Sequence, residues 1–201
     1  MSRSSARQRV LVSAGVVSLA FIASACFPQD PPVTTPTTST TTSTTVPECV
    51  PAPSTVTNGA ATLTVSQATC LEVGDEITVT GSGYTTTGNV GTRPPFAAKP
   101  SGVYVVHGEF ADPWGPSTGV GSGARKVLSQ YWAVPEPTYT DNTNQQAPYT
   151  PMDASGGFSV TLTVAATTGT NPTLGIATYP GSGATNADEE ILVPLTLDPA
   201  A

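Results

Sequence analysis

Basic residues are scarce in this chain. Its 201 residues include seven Lys and Arg against fourteen Asp and Glu. Three of the seven basic residues lie in the first nine positions, so the remainder carries four basic and fourteen acidic residues, a net charge of −10. Nucleic-acid binding needs a basic footprint, and docking on anionic lipid head groups by charge needs one too. The composition argues against both and predicts a soluble monomer with no nucleic-acid partner.

Histidine is scarcer still, because His107 is the only one. One histidine and two distant cysteines that are expected to be oxidised do not make a zinc site. The acidic cluster 188–190 and the segment 141–144 lack the ligand spacing of a calcium loop, and we expect a solvated turn at 188–190. The sequence therefore predicts no metal and no cofactor.

The same scarcity bears on catalysis. Gly115–Gly119 reads Gly-Pro-Ser-Thr-Gly and matches the G-x-S-x-G pattern of serine hydrolases. That chemistry needs a helix after the serine and a histidine later in the chain, whereas His107 precedes Ser117 and no helical pattern follows. A turn of small residues explains the match better, and we predict that the protein is not an enzyme.

A run of about 20 apolar residues, which a spanning helix needs, is also missing. The apolar run 10–22 follows a basic head and precedes Ala23-Ser24-Ala25-Cys26, which is the order of a signal peptide over residues 1–25. Two outcomes remain open. Cleavage after Ala25 would release a secreted protein, whereas the similarity of 23–26 to a bacterial lipobox implies acylation of Cys26, with palmitate, and anchorage in the cell membrane.

Residues 26–54 are dominated by Pro, Thr and Ser, a composition with too little apolar surface to fold. We interpret them as a disordered stalk.

The chain has three cysteines, so if Cys26 carries lipid, Cys49 and Cys70 remain as a pair. Oxidising conditions outside the membrane favour a disulfide between them.

The exported remainder, residues 55–199, is nearly devoid of helical periodicity. Apolar and polar residues alternate instead, as in Phe158-Ser-Val-Thr-Leu-Thr-Val164, between turns rich in Gly, Pro, Asn and Asp. Seven strands are predicted, at about 61–66, 75–82, 102–110, 127–134, 157–165, 173–179 and 191–197. Such a series indicates an all-β, antiparallel, immunoglobulin-like sandwich, with Pro194 placing the last strand at an edge.

Two stretches carry a resemblance. Residues 61–84, ATLTVSQATCLEVGDEITVTGSGY, resemble the opening hairpin of neocarzinostatin-like and related actinobacterial immunoglobulin-like domains. Residues 102–134, with Gly108, Phe110, Trp114, Arg125 and Trp132, are similar to modules of actinobacterial surface lipoproteins that accompany haem-uptake domains. The resemblance implies a β-sandwich at the cell surface and indicates a fold rather than a specific function.

A binding surface is expected around the segment between Phe110 and Arg125. Aromatic residues and Arg are enriched at binding hot spots, and loops on a rigid sandwich commonly carry recognition. The candidates are His107, Trp114, Arg125, Tyr131 and Trp132. The partner is an unidentified protein, glycan or small apolar ligand, and the protein is a non-catalytic binding or structural module of the envelope. Two alternatives stay open: a haem or small-ligand carrier that uses His107, and a structural role in which Trp114 plugs the end of the sandwich.

Overall fold

The structure is a computed structural model that describes residues 48–142 and 148–199. The predicted signal peptide, the lipid site at Cys26 and residues 26–47 of the predicted stalk lie outside the described residues. Within them, no helix is both long and apolar enough to cross a membrane.

Four strands form the first sheet, in the order β1-β2-β3-β7 with antiparallel neighbours. They are β1 (Ser54–Asn58), β2 (Ala61–Val65), β3 (Glu76–Ser82) and β7 (Phe158–Thr163). Their side chains alternate as predicted: Ile77, Val79, Val160 and Leu162 are buried while the threonines between them are exposed. The outer face of this sheet is consequently lined with hydroxyl groups, some of which pair across strands, as Thr55 does with Thr64 at 3.0 Å between the Oγ1 atoms.

Five strands form the second sheet, in the order β6-β5-β4-β8-β9. They are β4 (Val103–Phe110), β5 (Arg125–Pro135), β6 (Tyr149–Met152), β8 (Thr173–Pro180) and β9 (Ile191–Pro194), and a short helix α1 (Thr138–Asp141) follows β5. Strand β9 lies at the edge with Pro194 exposed, as predicted.

The described residues thus form nine strands rather than the predicted seven, and one pairing is parallel. Strand β6 runs parallel to β5, inside a segment expected to be a loop. Its sequence, Tyr-Thr-Pro-Met, contains a proline and is too short for alternation to register. Strand β1 was not predicted because it lies in a segment of loop-like composition. It pairs with β2 across a tight turn at 59–60.

The fold is nevertheless the predicted sandwich of immunoglobulin type. The seven predicted strands divide into β2, β3 and β7 on one sheet and β5, β4, β8 and β9 on the other. The core lies between the sheets and is built from apolar side chains of both, among them Leu63, Val79, Val105, Ile176 and Val193.

The predicted disulfide between Cys49 and Cys70 is present, with the Cα atoms 5.5 Å apart. Hydrogen bonds reinforce the link: the Ala68 N–H donates to the Ala52 carbonyl at 2.6 Å, and the Thr69 hydroxyl donates to the Val50 carbonyl at 2.8 Å. Residues 49–53 are therefore fixed to the sandwich just before β1. A disulfide is consistent with an extracytoplasmic location.

Two polar side chains of β4, His107 and Glu109, are fully buried. The Glu109 carboxylate accepts hydrogen bonds from the loop between β7 and β8, including the Gly169 N–H at 2.9 Å and the Thr170 N–H at 2.8 Å. Burial alone would raise the pKa of Glu109, but these N–H groups and the Thr168 hydroxyl outweigh it and lower the pKa to about 2. Glu109 therefore stabilises the 168–171 loop as a carboxylate.

Candidate binding groove

The face of the five-stranded sheet that points away from the core carries a row of aromatic rings. Alternation along β4 and β8 explains it, since Val103 and Val105 join the core while Tyr104, between them, faces outward. Tyr104 lies directly opposite Tyr179 of β8, with the ring centroids 5.4 Å apart. Ring contacts extend from this pair to Trp132 on one side and to Trp114 on the other.

A groove of about 520 Å³ lies over the two tyrosines. Its floor includes Tyr104, Tyr179 and the exposed Val127 of β5. One wall is the segment 119–122 of the β4–β5 connection, and the other is formed by Arg93 and by residues 183–185 of the β8–β9 connection. Three strands and three connections therefore meet in one concave site.

Arg93 stands beside Tyr104, and hydrogen bonds hold it there. The N–H groups of Thr92 and Arg93 donate to the Ser182 carbonyl at 2.9 and 3.0 Å. The Ser182 N–H in turn donates to the Tyr104 hydroxyl at 3.4 Å. Gly183 has a φ of +77°, and a Cβ there would lie 2.8 Å from Arg93 Nε. A glycine at 183 thus both permits this turn and leaves room for the guanidinium.

Arg125 stands over Tyr179. Its guanidinium carbon lies 5.5 Å from the centre of the Tyr179 ring, which is a cation–π distance. Its Nη1 donates a hydrogen bond to the Trp114 carbonyl. Arg125 therefore stacks on Tyr179 and contacts only the backbone of Trp114 by hydrogen bonding.

The hydroxyls on the groove floor are neutral. Burial raises the pKa of Tyr104, and the Ser182 N–H and the nearby Arg93 only partly oppose that effect. Burial likewise raises the pKa of Tyr179 against the opposing charge of Arg125. Both phenols stay protonated at neutral pH, so the arginines supply the charge of the groove.

Neither arginine has a carboxylate partner in the described part of the chain. The ion pair found there joins Lys99 and Asp141, with 3.0 Å between Nζ and Oδ2. Two guanidinium groups therefore line one groove without a described counter-charge, in a chain that is otherwise strongly acidic.

Of the five residues predicted to form the surface, Arg125 lines the groove and Trp114 lies beside it. Trp114 is half-buried against Phe110, with 5.4 Å between the ring centroids, and it contributes to a smaller neighbouring cavity with Asp112 and Glu190. Trp132 is 5% exposed, and its Nε1 donates to the Ser101 carbonyl at 2.6 Å. Tyr131 points the opposite way and packs on the core between the sheets.

His107 requires a correction, because it is fully buried and lies on no surface. Its Nε2 accepts the Ala165 N–H at 3.0 Å, which leaves Nδ1 to donate to the Gly175 carbonyl at 3.3 Å. Burial lowers its pKa, and the two hydrogen bonds only partly oppose that shift. Both ring nitrogens are engaged in holding strands together, so His107 is not presented as a haem ligand.

Ser117 is held by a carboxylate rather than an imidazole. Its hydroxyl donates to Glu190 Oε2 and its N–H to Oε1, each at 2.7 Å. Residues 116–118 form one short 3₁₀ turn, as the abundance of small residues predicts.

The acidic cluster at 188–190 is not wholly solvated, contrary to expectation, because Glu189 is 4% exposed. Its carboxylate accepts from the Thr85 N–H and the Asn89 side-chain amide, and burial raises its pKa despite these donors. No cluster of three or more His, Cys, Asp or Glu side chains suited to a metal ion occurs in the described ranges.

Sequence reasoning missed Arg93, Tyr104 and Tyr179. The tyrosines could have been recognised from the pattern along β4 and β8, since each alternates with residues whose side chains point into the core. Arg93 could have been recognised because basic residues are rare in this chain, and it is one of only four after the leader.

Comparison with known proteins identifies no relative. No family model, no curated protein and no solved structure matches this chain.

Proposed function

We propose that the protein is a non-catalytic binding module of the bacterial envelope, and that its ligand occupies the groove over Tyr104 and Tyr179. The leader directs export, a lipid on Cys26 holds the chain at the outer face of the cell membrane, and the Pro/Thr stalk carries the sandwich away from it. The observation that carries the proposal is the convergence of two tyrosines and two arginines, neither arginine having a carboxylate partner among the described residues, in one groove.

The size and lining of the groove support a ligand-binding role. Small-molecule sites are commonly concave, have volumes of roughly 300–1,000 Å³ and combine aromatic rings with a few placed polar groups. The groove fits this description at about 520 Å³.

Two glycines allow a matched test of the proposal. Gly121 lines the groove whereas Gly123 is not among its lining residues, and a Cβ added at either would meet nothing within 4 Å. Gly121→Trp should therefore obstruct the groove without disturbing the fold, and Gly123→Trp is its control.

The measurement is NMR of the purified protein during titration with a soluble extract of envelope polysaccharide. Amide shifts at Val127 and Gly119 should appear in the parent protein and in Gly123→Trp and be lost in Gly121→Trp. Shifts confined to the threonine face of the four-stranded sheet, or equal in both variants, would contradict the proposal.

A further inference from the structure

The charge of the groove is opposite to that of the rest of the chain. Beyond the leader there are four basic residues against fourteen acidic ones, and two of those four, Arg93 and Arg125, line this groove. The described residues provide no carboxylate within ion-pair distance of either arginine, so both positive charges remain available to an anionic ligand.

The two guanidinium groups flank the tyrosine pair. Arg125 lies over the Tyr179 ring at 5.5 Å, the Arg93 backbone is linked to Tyr104 through Ser182, and the two rings are 5.4 Å apart. A guanidinium group presents a planar fork of donors that matches an oxyanion. The Trp114 carbonyl and the Tyr179 ring already hold the Arg125 side chain in place. Binding therefore loses less side-chain conformational entropy at Arg125 than it would at a mobile arginine.

The remaining lining suits a hydroxylated ring rather than an apolar one. Tyrosine hydroxyls, Ser122, Thr185 and the backbone of Gly119, Gly121 and Gly183 surround the floor. These groups donate and accept hydrogen bonds, while Tyr104, Val127 and Pro180 provide the apolar surface on which a sugar ring packs. The volume of about 520 Å³ accommodates a unit of roughly one or two sugar rings.

On the strength of the proposed function, we infer that the ligand is an acidic glycan, recognised through a sugar ring that bears a carboxylate. The carboxylate binds between Arg93 and Arg125, and the ring lies on the tyrosine floor.

Three probes separate the parts of this inference: an oligomer of glucuronic acid, the matched oligomer of glucose, and inorganic phosphate. Binding is followed by NMR shifts of the groove amides and by calorimetry, with the full-length purified protein. The glucuronic acid oligomer should bind at least tenfold more tightly than either of the other two probes, since one charge-assisted hydrogen bond is worth a factor of about ten or more. Its affinity should fall as salt is added.

Arg93→Gln is the informative variant because the Arg93 side chain is exposed. Lys126→Gln is its control, since it makes the same charge change at an exposed residue outside the groove lining. Arg93→Gln should weaken glucuronic acid binding about tenfold and bring it towards that of glucose, with the melting temperature unchanged. Lys126→Gln should leave the affinity within about twofold of the parent.

Other results would overturn the inference in distinguishable ways. Equal binding of glucose and glucuronic acid oligomers in the groove, insensitive to Arg93→Gln, rules out the acidic ligand and leaves the proposed function standing. Phosphate binding as tight as that of the charged sugar rules out the sugar. If no probe shifts the groove amides, the acidic-glycan assignment is wrong, and the Gly121→Trp experiment then decides the proposed function on its own.

Discussion

The Glu109 carboxylate accepts hydrogen bonds from both the backbone N–H and the hydroxyl of Thr168, with 2.8 Å between Oε2 and the hydroxyl oxygen. A single charged side chain of a central strand thereby fixes the loop that joins the two sheets between β7 and β8.

Glu109→Gln should destabilise the protein by about 3 kcal/mol, because loop N–H groups lose a charged acceptor and face an amide instead. Urea unfolding measures the change, and Glu76→Gln at an exposed position should stay within about 0.5 kcal/mol of the parent. The folded pKa of about 2 lies below the ordinary 4.5, so this stabilisation is complete above pH 4.5 and is lost as the pH falls towards 2. Equal stability of Glu109→Gln and parent at neutral pH would contradict the assignment.

His107 should make stability fall in mildly acidic solution. Its folded pKa lies below the ordinary value of 6.5, so the unfolded chain binds the proton more readily and stability is lost as the pH drops below 6.5. The slope is up to about 1.4 kcal/mol per pH unit for one group. Unfolding free energies between about pH 7.5 and 5 measure it, and His107→Gln should flatten the curve over this window. An unchanged slope in the variant would show that His107 is not the group responsible.

Replacing Cys49 and Cys70 with serine should cost about 3 kcal/mol, the value of the chain-entropy model for a closed loop of this length. The loss should appear as a lower urea midpoint. Mass spectrometry of natively exported protein under non-reducing conditions is the direct check, and free thiols at both positions would refute the pairing.

Trp114→Ala should lower the melting temperature by several degrees, because the indole packs on Phe110 and on Tyr179; truncating a fully buried aromatic costs about 3–5 kcal/mol, and the half-buried Trp114 should cost less. Val127→Ala, at a position that is 40% exposed, is the comparison and should change stability little. If stability barely moves while ligand capture falls, Trp114 is a contact residue rather than a plug.

Cys26 should be the acylated first residue of the mature chain. The protein should then partition into detergent, and the mass of its first peptide should include the lipid. Cys26→Ser should abolish both properties. An unmodified Cys26 in freely released protein would instead support cleavage after Ala25 and a secreted protein.

The sequence predicted the sandwich because most of its strands face the core on one side only. In β7, Phe158, Val160 and Leu162 alternate with exposed hydroxyl residues, so a short stretch of sequence is enough to recognise the strand and its buried side. Cysteine number and the expected compartment were likewise enough to predict the disulfide.

Strand β4 shows why the groove could not be predicted in the same way. All but one of its eight residues are buried, because connections distant in sequence cover its outer face. Alternation then carries no information on exposure, and His107 was placed on the surface although the neighbouring strands and the segment at Ala165 enclose it. Arg93 and Tyr104 come together through Ser182, 78 positions beyond Tyr104, a relationship that no local pattern encodes.

The disulfide also determines how mechanical load enters the domain. A pull on the chain ahead of Cys49 passes through the sulfur atoms to Cys70, 21 residues further on, and bypasses everything between them. Strands β1 and β2 lie inside that bypassed segment, so tension from a tether reaches the sandwich at the turn before β3 and does not peel the edge strand from its sheet. Under the attachment proposed above, the outermost strand would therefore stay unloaded when the domain is pulled.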